Sequence, residues 1–244
     1  MKNFERDSSL DLIKWIALIT MIIDHSWYIL PVELQELLRG MRTIGRLAFP
    51  LFCLSIAANV YRQPIGYSGG WKYFGGIFLF ALISQHPYSR FFEGNYLNIL
   101  FTLCLGLVIT QAAHHRTPAL ITAGISALVI AAVYRPILGY GLAGVVLPVA
   151  LLAALQAREF ETQVITWSAA ALLAVLANTG AGILLLPDLP ARAQAGICVA
   201  ALAPLAGLAL LQLRVRSIWP VSTWMYPVYP IHLLLLSSLS LAWV

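Results

Sequence analysis

Long apolar stretches separated by short polar breaks dominate the chain. A membrane-crossing helix takes about 20 mostly apolar residues, or somewhat fewer among other helices. Nine stretches meet this description, near residues 10–30, 46–62, 71–86, 96–113, 118–134, 138–156, 163–186, 193–213 and 224–243. They are continuous rather than alternating, which predicts helices and not the strands of a membrane barrel. The expected fold is all-α, a polytopic membrane helix bundle of about nine transmembrane helices, with eight or ten as alternatives.

Composition excludes a soluble protein. A chain of 244 residues could form one or two soluble domains, but 60% of its residues are hydrophobic and 10% are charged, whereas about a quarter are charged in soluble chains. No polar segment is long enough to fold separately, so we expect residues 1–244 to form a single integral membrane domain. The net charge of +5 is spread over short loops. It therefore indicates topology and contact with lipid headgroups rather than nucleic-acid binding.

The polar residues are distributed unevenly. Residues 118–213 are rich in Ala, Leu, Val and Gly and are typical of a closely packed scaffold. The first 110 and the last 25 residues place ionisable and amide side chains at or inside the apolar stretches, where such groups usually mark a site. A slim excess of Lys and Arg predicts a cytoplasmic N-terminus. That excess is larger if some arginines of the first loop belong to a functional site and are left out of the count.

The first stretch carries the most informative pattern. Steps of three and four residues place one stripe on a helix, made of Asp11, Lys14, Leu18, Met21 and His25. Lys14 and His25 are then about 16 Å apart along the helix axis. The stripe therefore combines a cation near one membrane face with an imidazole deep in the span. Asp24 points about 100° away from His25, so it needs a partner on another helix.

Asp24 and His25 together favour a functional site over simple packing, because adjacent ionisable residues are costly at that depth. Histidine is the side chain best suited to proton transfer near neutral pH. Arg46, which opens the second stretch, is the expected cation for Asp24 or for an anionic ligand. Pro50 is expected to bend that second helix. The alternative for Arg46 is interfacial snorkelling over a kinked helix.

Two further polar groups are weaker signals. Asn95, Asn98 and Thr102 form one stripe, and with the preceding Ser84-Gln85 pair they favour hydrogen bonding between helices.

In the last stretch, Tyr229 and His232 are one turn apart and can face one cavity. His232 either takes part in catalysis or only bonds to a backbone carbonyl. The adjacent His114 and His115 lack a third ligand nearby, and we predict no metal site.

These residues resemble known membrane acyltransferases. Leu10-Asp11-x-x-Lys14-x-x-Ala17 with His25, and Tyr226-Pro-x-Tyr229-x-x-His232, resemble the first and last helices of the acyltransferase-3 superfamily, which usually has Arg in place of Lys14. The chain more specifically resembles the TraX family of conjugative pilin acetylases of the bacterial inner membrane. That second resemblance is carried by Ile23-Asp24-His25, Gly45-Arg46-x-Ala48-Phe49-Pro50-Leu-Phe52, Ser84-Gln85 and Leu97-Asn98-Ile-Leu-Phe-Thr102-Leu.

The resemblance implies transfer of acetyl from cytoplasmic acetyl-CoA to the N-terminal amine of a small membrane-inserted pilin, or to another small membrane acceptor. His25 would be the base, supported by Asp24 and Arg46. Lys14 and Arg42, at membrane edges, suit the CoA phosphates. Asn98 would donate to the developing oxyanion, and Tyr229 and His232 would complete the binding site. Direct transfer is expected, with an acetyl-histidine intermediate as the alternative.

Two other classes of function remain open at this point. A small proton-coupled transporter or flippase could use the Asp24 and His25 pair as a proton relay, although no inverted repeat supports it. A noncatalytic membrane subunit of a secretion machine is the second alternative.

Overall fold

The computed structural model describes residues 7–66, 70–92, 94–180, 182, 188–213 and 215–241. Within these ranges the chain forms α-helices and two short 3-10 turns, with one isolated β-bridge. The prediction of an all-α fold is confirmed. The helices are α1 (Ser8–Ser26), α2 (Val32–Leu37), α3 (Gly40–Gly45), α4 (Ala48–Tyr61), α5 (Gly70–Phe91), α6 (Ile99–His115), α7 (Pro118–Val133), α8 (Gly141–Gln156), α9 (Phe160–Thr179), α10 (Ala191–Gln212) and α11 (Met225–Leu241).

Each of the nine predicted stretches contains one long helix, namely α1 and α4 to α11. The sequence pattern missed the two short helices α2 and α3, because six residues are too few to show a period. It also ended α5 too early, since this helix continues through Pro87 to Phe91. The predicted ends at residues 186 and 243 lie outside the described residues.

Four helical segments among the described residues are long and apolar enough to cross a membrane: Ser8–Ile29, Gly40–Tyr61, Phe160–Thr179 and Ala191–Gln212. Three apolar helices are shorter, namely Ile99–His115, Pro118–Val133 and Gly141–Gln156. The protein therefore has the helices of a membrane-associated bundle. The count of nine crossings stays a prediction.

The bend expected at Pro50 stays a prediction, although the helical segment Gly40–Tyr61 is interrupted one turn before it. The chain breaks before it, at Arg46 and Leu47, between α3 and α4. Pro50 occupies the first turn of α4, where its missing N–H would have no partner inside the helix. Arg46 lies in this break, outside both helices, and its side chain reaches the end of α9.

Side chains of α1 fix the segment that leads into α11. The Ser9 hydroxyl donates to the carbonyl of Leu213 at 2.7 Å, and the Trp15 indole donates to the carbonyl of Trp219 at 3.0 Å. The buried carboxylate of Asp11 accepts from the amide of Val221 at 3.2 Å. These bonds satisfy backbone groups outside any helix. They place the last helix against the first.

The main hydrophobic core lies between α1, α4, α5, α6, α8, α9 and α10. Its largest fully buried side chains include Phe49, Leu54 and Leu107. Phe49 stacks on Tyr140 with ring centroids 3.7 Å apart. Small residues bring neighbouring helices close, as α6 and α7 show at Gly124, where an added methyl group would lie 2.6 Å from the Cβ of Ala112.

We predict that Gly124→Ala lowers the thermal midpoint of the purified protein in detergent, because two methyl carbons fixed to helix backbones cannot approach that closely. Overpacking of this kind costs about 1–3 kcal/mol. The matched control is Gly75→Ala on α5, where the new methyl group meets open space. An unfolding midpoint for Gly124→Ala at or above that of Gly75→Ala would contradict the close packing of α6 and α7.

Candidate active site

His25 and His232 form a hydrogen-bonded pair between α1 and α11. His25 Nδ1 lies 2.8 Å from His232 Nε2, and the two ring planes differ by 15° with centroids 5.1 Å apart. His232 Nδ1 in turn lies 3.0 Å from the carbonyl oxygen of Val228, one turn earlier in α11. Of the two roles that the sequence left open for His232, the bond to a backbone carbonyl is present, and a part in catalysis stays a prediction.

The network assigns the protons of the neutral rings. A carbonyl oxygen can only accept, so His232 Nδ1 carries a hydrogen and donates it to Val228. His232 Nε2 is then the acceptor for the Nδ1 hydrogen of His25. The proton-free nitrogen of His25 is therefore Nε2, which has no hydrogen-bond partner among the described residues. This nitrogen has the lone pair that a general base needs.

Aromatic side chains surround the histidine pair. The ring of Phe92 meets His25 edge-on at 5.1 Å, and Phe91 is 6.3 Å away. Tyr229, which is buried, lies 5.4 Å from the His232 ring. The two side chains are neighbours, as their spacing predicted, but Tyr229 lines the cavities described below and His232 lines neither of them. His25 itself lies in the last turn of α1, nearer the helix end than the sequence analysis expected.

Asp24 pairs with Arg42 rather than with Arg46, which corrects the predicted ion pair. Arg42 Nη1 lies 2.7 Å from Asp24 Oδ2. The Arg42 guanidinium also lies over the Tyr28 ring, 4.6 Å from its centroid. Arg46 instead donates to the carbonyl of Asn178 at 2.7 Å, at the C-terminal end of α9. A carbonyl in the last turn of a helix has no partner within that helix. The Asn178 carbonyl is therefore free to accept from Arg46, and Arg42 is the arginine that pairs with Asp24.

Gly45 allows α3 to approach Asp24 closely. A Cβ at this position would collide with the carboxylate and with the Cβ of Asp24. Rotating the Asp24 side chain cannot relieve the second collision, because a Cβ is fixed to its backbone. The Asp24–Arg42 pair therefore requires glycine at position 45.

Two adjoining cavities run along α1. The first, here called the histidine cavity, has a volume of about 220 Å³ and is lined by His25, Asp24, Arg42 and Arg46 among others. The second, here called the apolar cavity, has a volume of about 310 Å³ and contains Lys14 in its wall. The two share the wall residues Met21, Ile99 and Tyr229.

Lys14 and Arg42 line different cavities. Lys14 is near the N-terminal end of α1, and Arg42, from α3, is near the C-terminal end of α1. They therefore do not form one phosphate site. Lys14 Nζ lies 3.8 Å from Asp11 Oδ1, so the apolar cavity has its charged groups at the N-terminal end of α1. The stripe predicted from the sequence is found on this side of the helix, because Lys14, Leu18 and Met21 line one cavity and His25 the next.

Asn98 has a structural role, which corrects its assignment as an oxyanion donor. Its Nδ2 donates to Ala81 at 2.7 Å and to Gln85 at 3.0 Å, so both amide hydrogens are used. Its Oδ1 caps α6 by accepting from the Leu100 amide at 3.0 Å. Asn98 is fully buried and lines neither cavity. The favoured interpretation of this stripe, hydrogen bonding between helices, is confirmed for Asn98 and Gln85.

His114 and His115 bind protein groups. Their Nε2 atoms lie 3.0 Å from the backbone and side-chain oxygens of Gln63, respectively. Among the described residues, no three His, Cys, Asp or Glu side chains are grouped as metal ligands would be.

Sequence reasoning missed several residues of the histidine cavity, among them Tyr28, Tyr140 and Asn178. Asn178 carried a usable signal, because it is an amide in an otherwise apolar stretch. Tyr28 and Tyr140 lie near the ends of predicted apolar stretches, where tyrosine is common and carries no such signal.

The structure defines an all-α bundle of long apolar helices with a histidine pair where the first and last helices meet. A family model described as TraX protein matches residues 9–240, and the chain belongs to this family. A probable fimbrial assembly protein FimC, serogroup H1, from Dichelobacter nodosus is 31% identical over 137 residues. That alignment covers 50% of this chain and 54% of the relative, so the chain spans about half of the relative's length. No solved structure matches the chain.

We predict that Gly45→Ala separates Asp24 from Arg42 and lowers the thermal midpoint, by an amount corresponding to about 1–3 kcal/mol of overpacking. The control is Gly40→Ala in the same short helix, where a Cβ meets no atom within 4 Å. Thermal unfolding of the two variants in the same detergent checks this. Equal midpoints would show that Asp24 is not held against α3.

Proposed function

We propose that this protein is an acetyltransferase of the bacterial inner membrane, crossing it several times. It moves acetyl from acetyl-CoA to the N-terminal amine of a small membrane-inserted pilin during pilus biogenesis. The observation that carries this proposal is the chain of hydrogen bonds from Val228 through His232 to His25. These bonds leave Nε2 of His25 without a hydrogen, and His25 lines the histidine cavity.

His25 acts as the general base. An amine becomes a stronger nucleophile when a base takes its proton as the new bond forms. His25 Nε2 receives that proton, and the hydrogen bond from Nδ1 to His232 stabilises the resulting imidazolium. His232 is a positioning residue in this scheme, because it acts through His25 and fixes its tautomer.

The two adjoining cavities support a path for the donor. The apolar cavity begins at Lys14, whose ammonium suits a phosphate. It continues to the histidine cavity over a length of about 16 Å along α1. An extended, largely apolar arm that carries a thioester fits such a path, with its phosphates at Lys14 and its reacting carbon near His25.

Arg46 is the candidate for oxyanion stabilisation in place of Asn98. A guanidinium has five N–H donors, and one of those of Arg46 is used by Asn178. Arg46 lines the same cavity as His25. A fixed positive charge there stabilises the negative oxygen that develops at the attacked carbonyl.

The reaction balances as direct transfer. The acceptor nitrogen bonds to the thioester carbon, the carbon–sulfur bond breaks, and the proton taken by His25 passes to the sulfur. An acetyl-histidine would require His25 to be nucleophile and base in turn, so direct transfer needs fewer steps from this pair.

Membership of the TraX family and the similarity to a fimbrial assembly protein support a pilin as the acceptor. The transporter alternative relied on Asp24 and His25 as one proton relay. Asp24 is paired with Arg42 instead, which gives that alternative less support than the transferase.

We predict that His25→Ala folds and binds acetyl-CoA but transfers acetyl about 10²–10⁴-fold more slowly, the usual cost of losing a general base. His232→Ala should lose less, because His25 remains in place with its tautomer unfixed. The assay is incubation of purified protein with labelled acetyl-CoA and a candidate pilin, followed by mass analysis of the N-terminal peptide.

His86→Ala is the matched control, since His86 is exposed on α5 away from both cavities. Transfer by His25→Ala at the rate of this control would make the assignment wrong. A transporter would instead show altered substrate flux in vesicles for His25→Ala and His232→Ala, with no change in acceptor mass.

We predict that Lys14→Gln raises the KM for acetyl-CoA about tenfold and leaves kcat unchanged. A contact to a donor phosphate is the same before and during reaction, so its loss weakens binding only. Lys14→Arg should retain the low KM, and Lys72→Gln, on the exposed start of α5, is the control. A fall in kcat at an unchanged KM would move Lys14 out of the donor site.

A further inference from the structure

A third and larger cavity adjoins the histidine cavity and contains four arginines. It has a volume of about 630 Å³ and shares Arg42 and Arg46 with the histidine cavity. Arg39, from the turn before α3, and Arg192, from the first turn of α10, complete the set. We call this space the arginine cavity.

The arginine cavity carries unbalanced positive charge. Arg39 forms an ion pair with Glu36, and Arg42 with Asp24. Arg46 donates to a neutral carbonyl, that of Asn178. Among the residues that the structure describes, no carboxylate forms an ion pair with Arg46 or Arg192. Two guanidinium groups are therefore available to an anion, and a phosphate matches their planar, bidentate donor geometry.

The start of α10 adds to the positive field. Its N-cap residue is Pro190, which provides no side-chain hydrogen bond, and its first turn contains no acidic residue. The first N–H groups of a helix lack partners within the helix and favour an anion. Arg192 and Ala193 of that first turn line the cavity.

The cavity is open to a ligand. Gly196 and Gly40 are among its lining residues, and a Cβ on either would meet no atom within 4 Å. Trp27 forms part of the wall. Tryptophan and arginine are both common where a membrane protein meets the headgroup region.

The neighbouring helix α2 exposes apolar side chains beside its two acidic ones, Glu33 and Glu36. Helix α2 contributes Glu36 to the cavity wall and exposes Val32 to 70% and Leu37 to 77%. Exposed apolar side chains of this size beside a basic cavity match the two parts of a lipid, its acyl chains and its headgroup. A small soluble anion would make no use of the apolar surface.

We propose that the arginine cavity binds the phosphate group of an anionic phospholipid, with Arg192 and the N-terminal amides of α10 as its main ligands. The lipid headgroup then borders the histidine cavity, because Arg46 lies in both walls. Bound lipid would hold α3 and the start of α10 together at the mouth of the site.

The test is native mass spectrometry of the full-length protein, released from detergent that contains equal amounts of phosphatidylglycerol and phosphatidylcholine. The wild type should retain phosphatidylglycerol in preference to phosphatidylcholine. Arg192→Gln should reduce the retained phosphatidylglycerol about tenfold, the effect of losing one charge-assisted contact. Gly196→Leu should reduce it similarly by filling the cavity without removing a charge.

The matched control is Arg135→Gln, because Arg135 is exposed between α7 and α8 and lies outside the cavity. Equal retention of both lipids, or unchanged phosphatidylglycerol in Arg192→Gln and Gly196→Leu, would overturn the proposal. Complete displacement of the lipid by millimolar inorganic phosphate would assign the site to a soluble phosphate and also overturn it. No acetyl donor is present in this test, so its outcome is independent of the proposed acetyl transfer.

Discussion

Polar groups in an apolar helix bundle need partners within the protein, and this requirement positions the candidate site. Water and lipid cannot satisfy backbone N–H and C=O groups among buried helices. The segment before α11 is attached to α1 by hydrogen bonds of Ser9, Asp11 and Trp15, and the bond from the Val221 amide to Asp11 is buried. This attachment places α11 beside α1, and the contact between His25 and His232 follows from it.

The need for partners within the protein also determines what the two arginines near the histidines bind. Arg42 is matched by Asp24, and Arg46 is held by the carbonyl of Asn178 at the end of α9. His25 consequently bonds to another neutral ring instead of to a carboxylate. Its Nδ1 hydrogen is directed to His232, and its Nε2 has no hydrogen-bond partner among the described residues.

Local sequence patterns predicted which side chains lie on the same face of one helix, because that depends only on the helix period. The stripe of Lys14, Met21 and His25, and the shared face of Tyr229 and His232, follow from steps of three and four residues. Contacts between distant segments could not be read in this way. Arg42 and Arg46 are one helical turn apart, and the charge of either would allow an ion pair with Asp24. The choice between them depends on an unpaired carbonyl at Asn178, 132 residues further along the chain. His25 and His232 are 207 residues apart, and only the fold brings them together.

The most direct test of the central claim is nitrogen-15 NMR of the histidine side chains, with the His25 signals assigned by their loss in His25→Gln. The hydrogen-bond network predicts that His25 carries its hydrogen on Nδ1 and that Nε2 is proton-free. It also predicts a coupling across the hydrogen bond between His25 Nδ1 and His232 Nε2. A His25 ring that carries its hydrogen on Nε2, or two rings without coupling, would contradict the assignment of His25 as the base.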